Sequence, residues 1–271
     1  MKNNEYTVLK DISKCHTNQG LYQPVEKIDC DTSELPFIKL AIQKLCSLWH
    51  RNILKGDHNE DWHRVMAYGD LFDFNFCCQT GYETKREECR SLIVKSLKAV
   101  GLLNADTKNA RLDFIFSHIG GFDDAFYCED KPNKNTFRDA KKTKSLRVQA
   151  LAYWISFLPY EECIRYITAI TCQFNKLKLQ ITCTKIIAGV TLHSVLKEAG
   201  IPNTDQEGAS VAEYLTTVIS LVLSQNWETE DRKIRIMQKI DAAITDLTEN
   251  SEYVAYSWED IVYLQNEQTS V

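Results

Sequence analysis

Arg111-Leu112-Asp113-Phe114-Ile115-Phe116 and, a short way on, Ala125-Phe126-Tyr127-Cys128-Glu129-Asp130-Lys131 are the two runs that decide how the chain folds. Both are rich in aromatic and β-branched residues. Gly120-Gly121-Phe122-Asp123-Asp124 separates them, which predicts two adjacent strands joined by a turn. Alternate side chains of a strand share a face, so Glu129 and Lys131 point the same way. Antiparallel pairing then brings Asp113, on the first strand, beside Glu129 on the second. Two carboxylates and one ammonium converge at a sheet edge. One or two carboxylates, with water completing the shell, is the usual way to hold Mg²⁺. An adjacent lysine orients that water or stabilises developing negative charge.

Working outward, Leu146 to Trp154 reads as a helix with one apolar side, and Gln149 and Tyr153, four apart, share a face of it. Upstream, Gly81-Tyr82-Glu83-Thr84 opens a predicted helix that reaches Val100 and ends at Gly101. Glu83, and after it Glu87, stand near its start.

This arrangement resembles the PD-(D/E)XK phosphodiesterase superfamily. Its core is helix, strands, helix, strand, with an Asp on one strand and Glu-x-Lys on the next. Asp113 and Glu129-Asp130-Lys131 carry the resemblance, and Leu112 stands where the proline of the name would be. A Gln-x-x-x-Tyr helix after Glu-x-Lys is similar to the RecB-like branch, where it adjoins the metal site and the nucleic acid. Gly81-x-Glu83 is similar to fungal members of the superfamily. The resemblance covers residues 80 to 190. It implies an α/β fold, a restriction-endonuclease-like mixed sheet flanked by helices, and hydrolysis of nucleic-acid phosphodiesters, DNA before RNA. Mg²⁺ or Mn²⁺ would be held by Asp113, Glu129 and the backbone carbonyl of Asp130. Lys131 would act on the attacking water, and Gln149, Tyr153 and Glu83 would support the site.

Length and charge bound the rest. The chain has 271 residues and a formal net charge of −5, so nucleic-acid binding must come from a local patch. Lys131, Lys134, Arg138, Lys141, Lys142, Lys144 and Arg147 form that patch, opposed within the stretch only by Asp139. A run of this kind is equally a solvated helix face; its place directly after the proposed ligands marks it for phosphate contacts. No apolar run is long enough for a membrane span. Met1-Lys2-Asn3-Asn4-Glu5 lacks a signal-peptide core, so an intracellular chain, cytoplasmic or nuclear, is expected. The ten cysteines include no C-x-x-C pair, and reduced thiols are expected.

Three parts are expected: an N-terminal arm and helical extension (1–79), the core (80–200), and a C-terminal helical extension and tail (201–271). Residues 1 to 31 read as an irregular arm. A helix begins at Thr32-Ser33-Glu34-Leu35-Pro36 and buries a broad apolar face through Ile53. His50, His58 and His63 lie near Asp57, Glu60 and Asp61 but match no zinc spacing, so an exposed polar loop is expected there. Phe72, Phe74 and Phe76 alternate as in a short strand. Tyr166 to Phe174 and Leu177 to Ile187 are paired strands, followed by a short helix from Leu192 to Ala199. Ser210-Val211-Ala212-Glu213 is a capping box, and a second helix starts near Thr229. The tail with Tyr253, Tyr256, Trp258, Ile261 and Tyr263 would dock on the body or on a protein partner. Two other readings remain beside the nuclease: a catalytically inactive protein keeping the fold as an interaction scaffold, and an unrelated α/β protein.

Overall fold

The computed structural model describes residues 3–227 other than 27, 29–34, 51, 122–123, 132–135, 159–163, 166 and 205–206; the side chains of 18, 131, 136–139 and 223–227 also lie outside the description. Arg111–His118 (β2) and Asp124–Lys131 (β3) are the expected pair of strands. They lie inside a six-stranded sheet with β1 Tyr82–Arg90, β4 Ala169–Asn175, β5 Lys178–Ile187 and β6 Val190–Gly200, in the order β1-β2-β3-β4-β5-β6. All neighbours run antiparallel except β3 and β4, which are parallel. A parallel pair needs a crossover, and the helix Thr136–Ile155 supplies it. The architecture is α/β, a mixed sheet with helices on both faces.

The helices in chain order are α1 Asn3–Ser13, α2 Asn18–Glu26, α3 Leu35–His50, α4 Glu60–Trp62, α5 Phe74–Cys77, α6 Leu92–Ala99, α7 Thr136–Ile155 and α8 Gly208–Trp227, with a π-helix, His63–Asp73, joining α4 to α5. One face of the sheet offers Phe114, Phe116, Phe126, Cys128, Cys172, Phe174, Leu179 and Ile181 to α1–α3, the π-helix, α5 and α8 in a single core. Phe72 and Phe76, one turn apart, pack edge-on against Phe114 with centroids 5.7 and 5.4 Å away. Such pairs contribute about 0.5–1.5 kcal/mol beyond the area they bury. The other face packs Leu112, Ile115, Tyr127 and Ala169 against α6 and α7. No helix among the described residues is long and apolar enough to cross a membrane.

Several expectations are corrected. Residues 3–26 are helical, docked through Leu9, Ile12, Leu21 and Val25, where an irregular arm was expected. The apolar positions of α1 are few, which hides its period. Residues 60–77 are helical rather than loop and strand, and His63 is buried. The predicted helix from Glu83 to Val100 is a strand, β1, followed by α6. Six of the nine β1 residues are charged, which resembles a helix in composition; at a sheet edge the same charges discourage pairing with another chain. Leu192 to Ala199 belongs to β6, because its ladder with β5 overrides an apolar spacing that mimics a helix. The two-residue turn Ala188-Gly189, with φ of 49° and 76°, closes that hairpin. The helix expected from Thr229 and the aromatic tail lie outside the described residues.

Candidate functional site

Phe114 pairs with Cys128 and Ile115 with Tyr127. The ladder ends at Phe114 and Cys128; beyond it Asp113 turns to Arg64 on the π-helix side of the sheet, whereas Glu129 faces α7. The strand ends are tied by the Asp130 backbone N–H, which donates to Asp113 Oδ2 at 2.9 Å. Glu129 is fully buried. Its carboxylate forms an ion pair with Lys142, whose ammonium also donates to the Arg111 carbonyl at 2.7 Å. The cation beside Glu129 is therefore supplied by the crossover helix. The Lys131 side chain lies outside the described residues.

Asp113 also meets a residue that no motif marked. Arg64, on the π-helix, donates through Nη2 to Asp113 Oδ1 and through Nε to Asp130 Oδ2, both at 3.1 Å. It also pairs with Glu60 and, more loosely, with Asp61 and Glu87. Burial opposes the Arg64 charge, but Asp130, Asp113 and Glu60 outweigh it and raise its pKa. Alternation aims the Asp130 side chain at the opposite face from Glu129. There Arg86 pairs with Asp130 and, through two hydrogen bonds of 2.8 and 2.6 Å, with Asp73. Burial pushes the Asp130 carboxyl up to about 6 against the pull of Arg86.

Opposite Asp113 the edge strand is irregular. Arg86 pairs with Phe114 and Cys89 with Leu112, so Glu87 and Glu88 form a bulge facing the one residue between. Both have positive φ, 62° and 52°. Left-handed backbone costs a side-chain-bearing residue about 1–2 kcal/mol. Bulges and strained residues of this kind gather at functional sites, where they re-aim a side chain. Here the bulge turns Glu87 towards Arg64.

A polar row continues across the sheet from this point. Glu129 pairs with Gln173, Gln173 with Gln180, and Gln180 with Glu198. They make a line of acids and amides over four strands, and Gln180 Nε2 donates to Glu198 Oε1 at 2.7 Å.

The remaining expected site residues divide. Glu83 pairs with Ser117 on β2, four residues from Asp113, or about 13 Å along the strand, and its carboxylate binds Lys85 at 2.7 Å. It does not join Asp113. Gln149 and Tyr153 lie on α7, seven and eleven residues beyond Lys142, about 10 and 16 Å along the axis. The Tyr153 ring packs edge-on against Phe157 at 5.0 Å. Lys141 and Lys144 are exposed as expected of a phosphate-contacting face. Arg147 is not part of that face, because it is only 5% exposed and turned inward. Lys134 and the Arg138 side chain lie outside the described residues.

Among the described residues, no group of three or more His, Cys, Asp and Glu side chains converges as a metal-ligand set. Glu129 meets Lys142, and Asp113 meets Arg64, a cation it shares with Glu60, Asp61, Glu87 and Asp130. Comparison with protein families, with curated proteins and with solved structures finds no match to this chain.

Proposed function

We propose that the chain hydrolyses nucleic-acid phosphodiester bonds with a divalent cation, Mg²⁺ or Mn²⁺, held between Asp113 and Glu129. What supports the reading is that Asp113 and Glu129 stand at the ends of two neighbouring strands, Asp113 beside a strained bulge and bonded to the backbone N–H of Asp130, the residue after Glu129. A carbonyl from Asp130 would complete the protein's share of ligands. The bound cation would lower the pKa of a water and neutralise the scissile phosphate. In its absence Lys142 balances the buried Glu129 charge. With the cation in place, that ammonium would be released towards the phosphate. Exposed Lys141 and Lys144 would hold the backbone of the strand being cut.

A cleavage assay on single- and double-stranded DNA and RNA tests this. Mn²⁺-dependent cutting should be lost in both Asp113→Asn and Glu129→Gln, with folding kept. A second reading, a non-catalytic interaction scaffold, is favoured by Arg64, which holds Asp113 and Asp130 together as a closed ion-pair network. If Mn²⁺ shifts the melting of wild type and Asp113→Asn equally and no substrate is cut, the scaffold reading replaces the nuclease.

A further inference from the structure

Arg147 is the cation that the proposed chemistry does not use. It sits beneath α7, and all its hydrogen bonds go to neutral hydroxyls: Nε to Thr184 at 2.8 Å, and Nη1 to Thr171 at 2.5 Å and Thr182 at 2.8 Å. Arg64 and Arg86 each meet two or more carboxylates; among the described residues Arg147 meets none. Burial lowers its pKa to about 10, with no carboxylate to restore it. A buried charge without a counter-charge is costly, and proteins seldom keep one that merely fills space. Where a sequence retains a destabilising group, function is the usual reason.

The hydrogen bonds show what is missing. A guanidinium has five N–H donors. Three are taken by the threonines, and the two on Nη2 have no acceptor among the described residues. Thr184 Oγ1, which accepts from Arg147, also shares a hydrogen bond with His193 Nδ1 at 2.7 Å. The other ring nitrogen of His193, Nε2, is buried and has no hydrogen-bond partner among the described residues. Burial, followed by Lys144 and Arg147, holds His193 down to about 4, so the ring is neutral at pH 7. The cluster thus presents the two Nη2 donors and the positive charge of Arg147, beside a polar His193 ring atom, to an acceptor with negative charge. A phosphate oxygen set matches a guanidinium fork. Since Arg147 is only 5% exposed, a diester flanked by two sugars is too bulky for it, and the terminal group of a monoester is the smaller fit.

We propose that Arg147, Thr171, Thr182, Thr184 and His193 form a binding site for a phosphate monoester, either free inorganic phosphate or the terminal phosphate of a nucleic-acid strand. The site lies on the α7 face of the sheet, with Thr171 paired to Tyr127, and the proposal does not depend on the hydrolytic reading.

Melting temperature and titration calorimetry in EDTA test it, with inorganic phosphate, a 5′-phosphorylated oligonucleotide and its 5′-hydroxyl twin, against sodium chloride of equal ionic strength. Phosphate should raise the wild-type melting temperature, since a ligand of the folded state alone stabilises it. Arg147→Met should melt no lower than wild type without phosphate, having lost the buried charge. Its phosphate affinity should fall about tenfold or more, the value of one or two charge-assisted hydrogen bonds. Thr182→Val keeps the shape of the site and should weaken phosphate binding if Arg147→Met does not fold. A shift with free phosphate alone identifies the free anion as ligand; a shift with the phosphorylated oligonucleotide but not its twin identifies a strand end. Equal shifts in wild type and both variants, or none in wild type, overturn the proposal. Because metal is absent throughout, these outcomes are separate from loss of Mn²⁺-dependent cutting.

Discussion

Lys142, on the crossover helix, closes against the buried carboxylate of Glu129 on β3. The contact joins the sheet to α7 by charge at one of the two candidate ligands. Replacing Lys142 by Met takes the ammonium from a fully buried carboxylate. Removing one partner of a buried pair costs about 3–5 kcal/mol. Urea unfolding in EDTA should show a loss of that size, and adding Glu129→Gln should recover much of it. Millimolar Mn²⁺ should restore stability to Lys142→Met but not to the double variant; restoration in both would place the metal elsewhere.

The bulge at Glu87-Glu88 predicts a trade of stability against activity. Glu88 has φ 52° and an exposed ion pair with Arg111, which contributes little. Glu88→Gly should therefore stabilise the fold by up to about 1 kcal/mol by relieving left-handed strain. Under the nuclease reading, cleavage should fall in the same variant, because the bulge fixes Glu87 and Arg64 beside Asp113. Stability and cleavage rate, measured together, check it.

Acid should weaken the fold through His193. Its folded pKa, about 4, lies below the ordinary 6.5. As pH falls from 6.5 towards 4, the unfolded chain takes up the proton first, so stability drops across that window and is fully present above it. His63, also held low by burial, adds to the same slope. Melting temperature against pH should flatten in part for His193→Gln, and an unchanged curve would remove His193 as a cause.

Salt dependence separates the lysines of α7. Lys141 and Lys144 are exposed, whereas Lys142 is held by Glu129. Each phosphate contact contributes about 0.9 to the slope of log affinity against log salt for duplex DNA. Lys141→Ala with Lys144→Ala should lower that slope by up to about 2 for every sequence tested. A slope equal to wild type would show that this face does not meet phosphate.

The central elements were readable because each carries a local signal. Aromatic alternation and a Gly-Gly turn mark β2 and β3, and the α7 and β4–β5 patterns follow the same rules. Edge strands carry weaker signals. β1 is built from residues that favour helices, and Leu192, Val195, Leu196 and Ala199 on β6 happen to fall at helical intervals. For the site, the sequence placed Asp113 and Glu129 on neighbouring strands, which the structure has, but not the side of the sheet each faces. It could not reveal Arg64, which lies 49 residues from Asp113 and reaches it only through the π-helix. Nor could it separate Lys142 and Arg147 from the cations around them, since burial alone distinguishes the three roles.

The parallel contact between β3 and β4 also orders events as the chain folds. Asp113 and Glu129 are joined by one hairpin, and hairpins close in about 1–10 μs. The threonine bed under Arg147 must wait for Thr171 to find Tyr127 across the whole of α7. Contacts so distant in sequence form later and slow the overall rate. On the ribosome, the carboxylate pair is therefore born first, with its inner strand edge still open. Until β4 arrives, β3 is the edge at which a nascent chain is most exposed to pairing with the wrong partner.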